Sequence, residues 1–115
     1  MLRTLITWLI FVAQVALPAS GLGTVFGPSN IDPLGNPNDK LGCTGKHLRM
    51  TDKVVAHKTL SCGTHLLVCV PRNGRCAETI VADWGPVHAA IDLSIGLARK
   101  LHHNGKEVVT WTVLP

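Results

Sequence analysis

The sequence predicts a small, mainly β domain closed into a barrel. Three observations carry this: several short runs rich in β-branched residues, one brief helical stretch, and eleven Gly and seven Pro spread through 115 residues. Gly and Pro at this frequency cut the chain into short segments. A chain of this length builds one small core, and many short strands share one core most economically by closing on each other.

Residues 1–20 read as a signal peptide. Arg3 gives the positive start, residues 5–16 the apolar middle, and Ala19-Ser20-Gly21 the small residues of a cleavage site. The apolar run is shorter than the ~20 residues that span a bilayer, and Pro18 closes it. The expectation is therefore a secreted or periplasmic protein without stable membrane insertion once the leader is cut. No cysteine follows the cleavage site to carry a lipid.

The remaining residues, 21–115, form the domain. Residues 21–27 are a strand candidate that opens it. Residues 28–42 are a long surface loop, because 28–40 hold Pro, Gly, Asn and Asp in a density that neither helix nor interior strand survives. Residues 54–56 are a short apolar run. Residues 66–70 and 76–82 form the clearest hairpin, with Asn73-Gly74 inviting a two-residue turn. Ser94 is a fair N-cap for a helix over 95–103, which Gly96 weakens and Asn104-Gly105 stops. Residues 107–114 close the fold as a strand with Val109, Trp111 and Val113 on one face.

Cys43, Cys62, Cys69 and Cys76 lie in a chain predicted to be exported, where paired thiols oxidise. Two disulfides are favoured over zinc: His47, His57 and His65 lie among the cysteines, but no Cys-x-x-Cys pair does. Four cysteines allow three pairings. The hairpin places Cys69 and Cys76 diagonally on one face, which leaves Cys43 for Cys62.

The formal net charge is +4, and removing Arg3 with the leader lowers it to +3. The basic residues are scattered, as on a solvated surface, and the domain has few aromatics to stack on bases. Nucleic acid is therefore not the expected partner.

Asp83 and Asp92 are the candidate chemistry. Asp83 ends a strand at the turn Gly85-Pro86, and Asp92 sits between Ile91 and Leu93 just before the helix. Carboxylates in such partly shielded settings acquire different proton affinities, which acid/base chemistry requires.

Read together, Ala56-His57-Lys58-Thr59-Leu60, Gly63-Thr64, Asn73-Gly74-Arg75, Asp83-x-Gly85-Pro86 and Ile91-Asp92-Leu93-Ser94 form an ordered set. This set resembles the rare lipoprotein A group, double-psi β-barrel proteins akin to septal-ring lytic transglycosylases and more distantly to expansins and barwin-like proteins. The resemblance implies a six-stranded double-psi barrel with one or two short helices, acting as a monomer without cofactor or metal on peptidoglycan or another cell-wall glycan. It implies lytic cleavage of the MurNAc–GlcNAc bond to 1,6-anhydro products, with Asp83 and His57 as catalytic residues. Trp84, Asp92, Lys58 and Thr59 would bind substrate. The alternative it offers is a non-catalytic, expansin-like module that binds or loosens wall polysaccharide. A secreted inhibitor or defence protein of the barwin type is a third reading. The sequence departs from the group at Trp84, where an Arg is usual, and at Val25-Phe26, where a Trp-Tyr pair is usual.

Overall fold

The computed structural model describes residues 17–27 and 40–115. The body of the predicted leader, residues 1–16, and most of the long loop, residues 28–39, lie outside the described residues. The rest forms six strands and one helix: β1 (Ala19–Phe26), β2 (Val54–Ala56), β3 (His65–Val70), β4 (Arg75–Asp83), β5 (Ile91–Ser94), α1 (Ile95–Leu101) and β6 (Lys106–Val113). The strands close into a barrel in the order β1-β5-β2-β4-β3-β6. The small mainly β barrel is thus the architecture of the chain.

Alternation builds the core. In β3, Leu66, Val68 and Val70 point inward and are fully buried, while His65, Leu67 and Cys69 lie on the outer face. Ala77, Thr79 and Val81 do the same in β4, and Val109 and Trp111 in β6. Val113, predicted to share that face, is 43% exposed. Ile91 and Leu93 of β5 complete the interior with Val55, and Leu97, Ala98 and Leu101 of α1 plug it. Each such aliphatic side chain contributes roughly 1.5–3 kcal/mol by leaving water.

Local readings differ from the structure at three places. Residues 91–94 form a strand, parallel to β1 and antiparallel to β2, rather than a lead-in to the helix. The hairpin loop is longer than two residues: Val70 pairs with Arg75, and the N–H groups of Asn73 and Gly74 both donate to the Val70 carbonyl. Cys69 and Cys76 are therefore directly opposite, not diagonal, and are joined by a disulfide. Cys43 is joined to Cys62, the pairing left by that hairpin. The helix ends at His102, which takes a left-handed conformation (φ 51°), two residues before the Asn104-Gly105 stop. Donors from the hairpin loop explain the early end: the Arg72 guanidinium binds the His102 carbonyl and the Asn73 amide binds that of Leu101.

Ser94 is the N-cap, as its residue type suggests. Its buried hydroxyl accepts from Leu97 N–H and Val54 N–H and donates to the Asp52 carbonyl, so one side chain joins helix, β2 and the preceding turn. Gly96, a weak helix former, is needed where it stands: a Cβ there would overlap the Asp52 and Met50 carbonyl oxygens. A second, smaller cluster of Leu41, Leu48 and Ala82, with Phe26 and Val54, lies where segment 41–48 covers the end of β4.

Candidate functional site

One row of the barrel collects the predicted acids. Ala56 pairs with Asp83 of β4 on one side and Asp92 of β5 on the other, and Asp92 pairs in turn with Thr24 of β1. The row exists because β4 carries a bulge: Val55 faces Val81, yet the next residue, Ala56, faces Asp83, with Ala82 unpaired between. Strands lie ~4.8 Å apart, so Asp83 and Asp92, two strands apart, stand about 10 Å from each other in the backbone.

The two acids are held differently. Asp83 Oδ1 accepts the N–H groups of Gly42 (3.0 Å) and Trp84 (2.8 Å), so it braces the strand end against the segment that carries Cys43. Cys43 N–H donates to the Ala82 carbonyl in the same brace. Asp92 is half-buried and accepts a 3.0 Å hydrogen bond from Thr24 Oγ1. Burial pushes its carboxyl above the ordinary value, the negative charge of Asp83 adds to the rise, and the Thr24 hydroxyl partly opposes it.

His57 joins the row through its backbone, donating its N–H to the Asp83 carbonyl at 3.1 Å. Its ring is occupied elsewhere. Nδ1 accepts the N–H groups of Thr59 (3.2 Å) and Leu60 (3.1 Å), which places the ring proton on Nε2, and the ring meets Trp111 edge-on with centroids 5.7 Å apart. Burial, and then the neighbouring Lys58 charge, lower its pKa.

Trp84 is 63% exposed and lies against Gly42, where a Cβ would come within 2.7 Å of the indole. Val87 beside it is 81% exposed. Lys58 reaches this loop with a long contact of 3.4 Å from Nζ to the Val87 carbonyl. Thr59 is exposed, and its tie to the site is its backbone N–H on the His57 ring. The structure therefore brings Asp83, Asp92, Trp84 and the His57 backbone to one rim, with Lys58 at its edge and Thr59 behind the ring it holds. Gly42, Thr24 and Trp111 were not among the sequence candidates. Thr24 was invisible because its partner strand was not read as one; the cysteine beside Gly42 was the available signal for the second.

The barrel and this row define the class: a small, disulfide-linked double-psi β-barrel. No family model and no curated protein matches the sequence. Among solved structures, the chain is similar to a Streptomyces papain inhibitor, with 21% identity over 89% of this chain and 98% of that one and a TM-score of 0.63. It is also similar to the apo form of a Clavibacter michiganensis expansin, with 19% identity over 86% of this chain and a TM-score of 0.61. The match spans 51% of the expansin chain, about half its length. Identities at this level speak for the fold.

These likenesses correct the sequence reading on activity. The resemblance implied a lytic transglycosylase, a lyase with Asp83 and His57 as its catalytic pair. The matching structures are an inhibitor and an expansin, neither a lytic enzyme, and the enzyme assignment falls with them. Locally, Asp83 Oδ1 and His57 Nδ1 each accept two backbone N–H groups, so one polar atom of each side chain serves the backbone. Among the described residues, no helix is long and apolar enough to cross a membrane.

Proposed function

We propose that the chain is an exported, non-catalytic module that binds cell-wall polysaccharide in the manner of an expansin barrel. Residues 1–20 would serve as its signal peptide and residues 21–115 as the binding domain; β1 begins at Ala19, so N-terminal sequencing of the exported protein gives the true boundary. The observation that carries the reading is Trp84: a large aromatic side chain, mostly exposed yet seated on Gly42, next to a row of hydrogen-bonding acids. A sugar ring offers an apolar C–H face to an indole and hydroxyls to carboxylates, so this pairing suits a glycan. Asp92 and Asp83 would accept sugar hydroxyls, Lys58 would donate at the rim, and His57 would hold the strand end in place.

The test is sedimentation of the oxidised protein with insoluble peptidoglycan and with cellulose. Binding to at least one is expected, with about tenfold weaker binding by Trp84→Ala and no anhydro-sugar products from either protein. Equal binding by wild type and Trp84→Ala would refute the site, and failure to pellet with either polymer would refute the function.

The inhibitor reading has its own support, because the match covers almost the whole of the Streptomyces protein. Titration of papain activity with the oxidised protein separates the two. Stoichiometric inhibition, together with no retention on either polymer, would favour the inhibitor.

A further inference from the structure

Outside the Trp84 rim, the segment that braces Asp83 folds into a turn of its own: Leu41 N–H donates to the Lys46 carbonyl, Gly45 N–H to the Leu41 carbonyl, and Lys40 bridges His47. Between this turn and the outer face of β2 and β4 lies a solvent-open cleft of about 430 Å³. A cleft of that size suits a small organic group or one or two residues of a peptide.

Its lining divides by chemistry. Leu41, Val54, Ile80 and Ala82 supply an apolar floor, with Ile80 37% exposed on the outer face of β4. Lys46, His47, Arg49 and Thr44 supply donors. One carboxylate, Asp52, also lines the cleft, but its two oxygens are committed to Arg49: Oδ2 accepts the Arg49 N–H at 2.8 Å and Oδ1 lies 3.4 Å from the guanidinium. Lys46 forms no ion pair among the described residues. The Thr44 oxygen accepts the Lys46 N–H, which leaves its hydroxyl proton free to donate. Among the described residues, the cleft thus presents about one uncompensated positive charge and spare donors above an apolar floor.

We infer that this cleft binds an amphipathic carboxylate, with the apolar body on Ile80 and Val54 and the carboxylate on Lys46 and Thr44. A single free ammonium matches a monoanion; a dianion such as a phosphate monoester would leave one charge unmatched. The same chemistry is offered by a free aliphatic acid and by the C-terminus of a peptide ending in an apolar residue. The site is independent of the polysaccharide reading, since it uses neither Trp84 nor Asp92.

The test is an amide-shift titration of the oxidised, nitrogen-15-labelled protein with four probes: hexanoate, hexanol, N-acetyl-Ala-Leu and its C-terminal amide. The expected result is movement of the Thr44, Lys46, Arg49 and Ile80 signals, with each carboxylate binding about threefold or more tightly than its uncharged counterpart. Lys46→Met should erase that preference. Lys46 contributes only main-chain hydrogen bonds to the turn, so the variant keeps the fold. Ile80→Asp should weaken every probe. Tighter binding of hexanoate than of the dipeptide would identify a free acid as the ligand type, and the reverse a peptide terminus; either supports the site. Equal affinity for charged and uncharged probes, an unchanged preference in Lys46→Met, shifts confined to Trp84 and its neighbours, or no shift at all would overturn it.

Discussion

The two ends of the barrel carry the same ingredients and use them differently. Each has a disulfide, a glycine-containing turn and charged side chains. At the hairpin end, Arg72 binds both oxygens of Glu107 and the His102 carbonyl, Asn73 binds the Leu101 carbonyl, and Asn104 N–H donates to Glu107. Polar groups there satisfy one another and fasten the hairpin to the helix end. At the opposite rim the protein spends one oxygen of Asp83 on bracing and leaves Trp84 and Val87 facing solvent. An end whose polar groups are closed among themselves is structural, whereas an end that leaves a fixed aromatic exposed can receive a ligand.

The sharpest way to break this contrast is to remove the disulfides in turn. By loop-closure entropy, losing Cys43–Cys62 should cost about 3 kcal/mol and losing the shorter Cys69–Cys76 loop somewhat less, ~2.5 kcal/mol. Denaturant titration of the paired Ser variants measures both. Polysaccharide binding separates them further: only the loss of Cys43–Cys62 frees the segment that holds Asp83 and Trp84, so only that variant should bind weakly at temperatures where both remain folded.

A smaller effect is expected from Ser94→Ala. It removes a helix cap and leaves the Val54 N–H and Asp52 carbonyl without their partner, at a cost of about 1–3 kcal/mol by the same titration. Polysaccharide binding at 25 °C should be unchanged, because Ser94 lies away from the rim.

The smallest effect is confined to acid pH. Glu107 is held at about 2, first by its hydrogen bond from Arg72, against an ordinary value of 4.5. Because the folded value is the lower one, its stabilising contribution is fully present above pH 4.5 and is lost as pH falls from 4.5 towards 2. Glu107→Gln should therefore flatten the acid limb of a stability–pH curve. Asp92, raised in the folded state, acts with the opposite sign: the folded protein takes up its proton first, so Asp92→Asn should leave that limb steeper. If Glu107→Gln leaves the limb as steep as before, the hairpin end is not the closed network described above.

Much of this architecture could be read in the sequence, and the parts that could not share a cause. The hairpin strands and β6 were legible because alternation and β-branching write them locally, and Ser94 because capping is a local preference. The cysteine pairing followed from the hairpin even though the turn length did not. Strand β5 was hidden: four residues leading straight into a helix have no signature of their own, and they are extended because β1 and β2 hold them on both sides. The site was half-hidden for the same reason. Asp83 stood out at a strand end, but its partner Gly42 lies 41 residues earlier in a turn with no periodicity. The hydrogen bonds of the His57 ring are equally illegible, because its position within a motif says nothing of the two N–H groups that Nδ1 accepts.

Strand β1 adds a consequence in time. It is sandwiched between β5 and β6, whose residues come at the far end of the chain. The barrel therefore cannot close early: β5 gives the first strand a partner on one side, and the other side stays open until the last strand is available. A chain emerging from a ribosome amino terminus first cannot complete the barrel until Trp111 and its neighbours arrive to meet Ala19 and Gly21. The topology that closes the barrel thus makes its closure wait for nearly the whole chain.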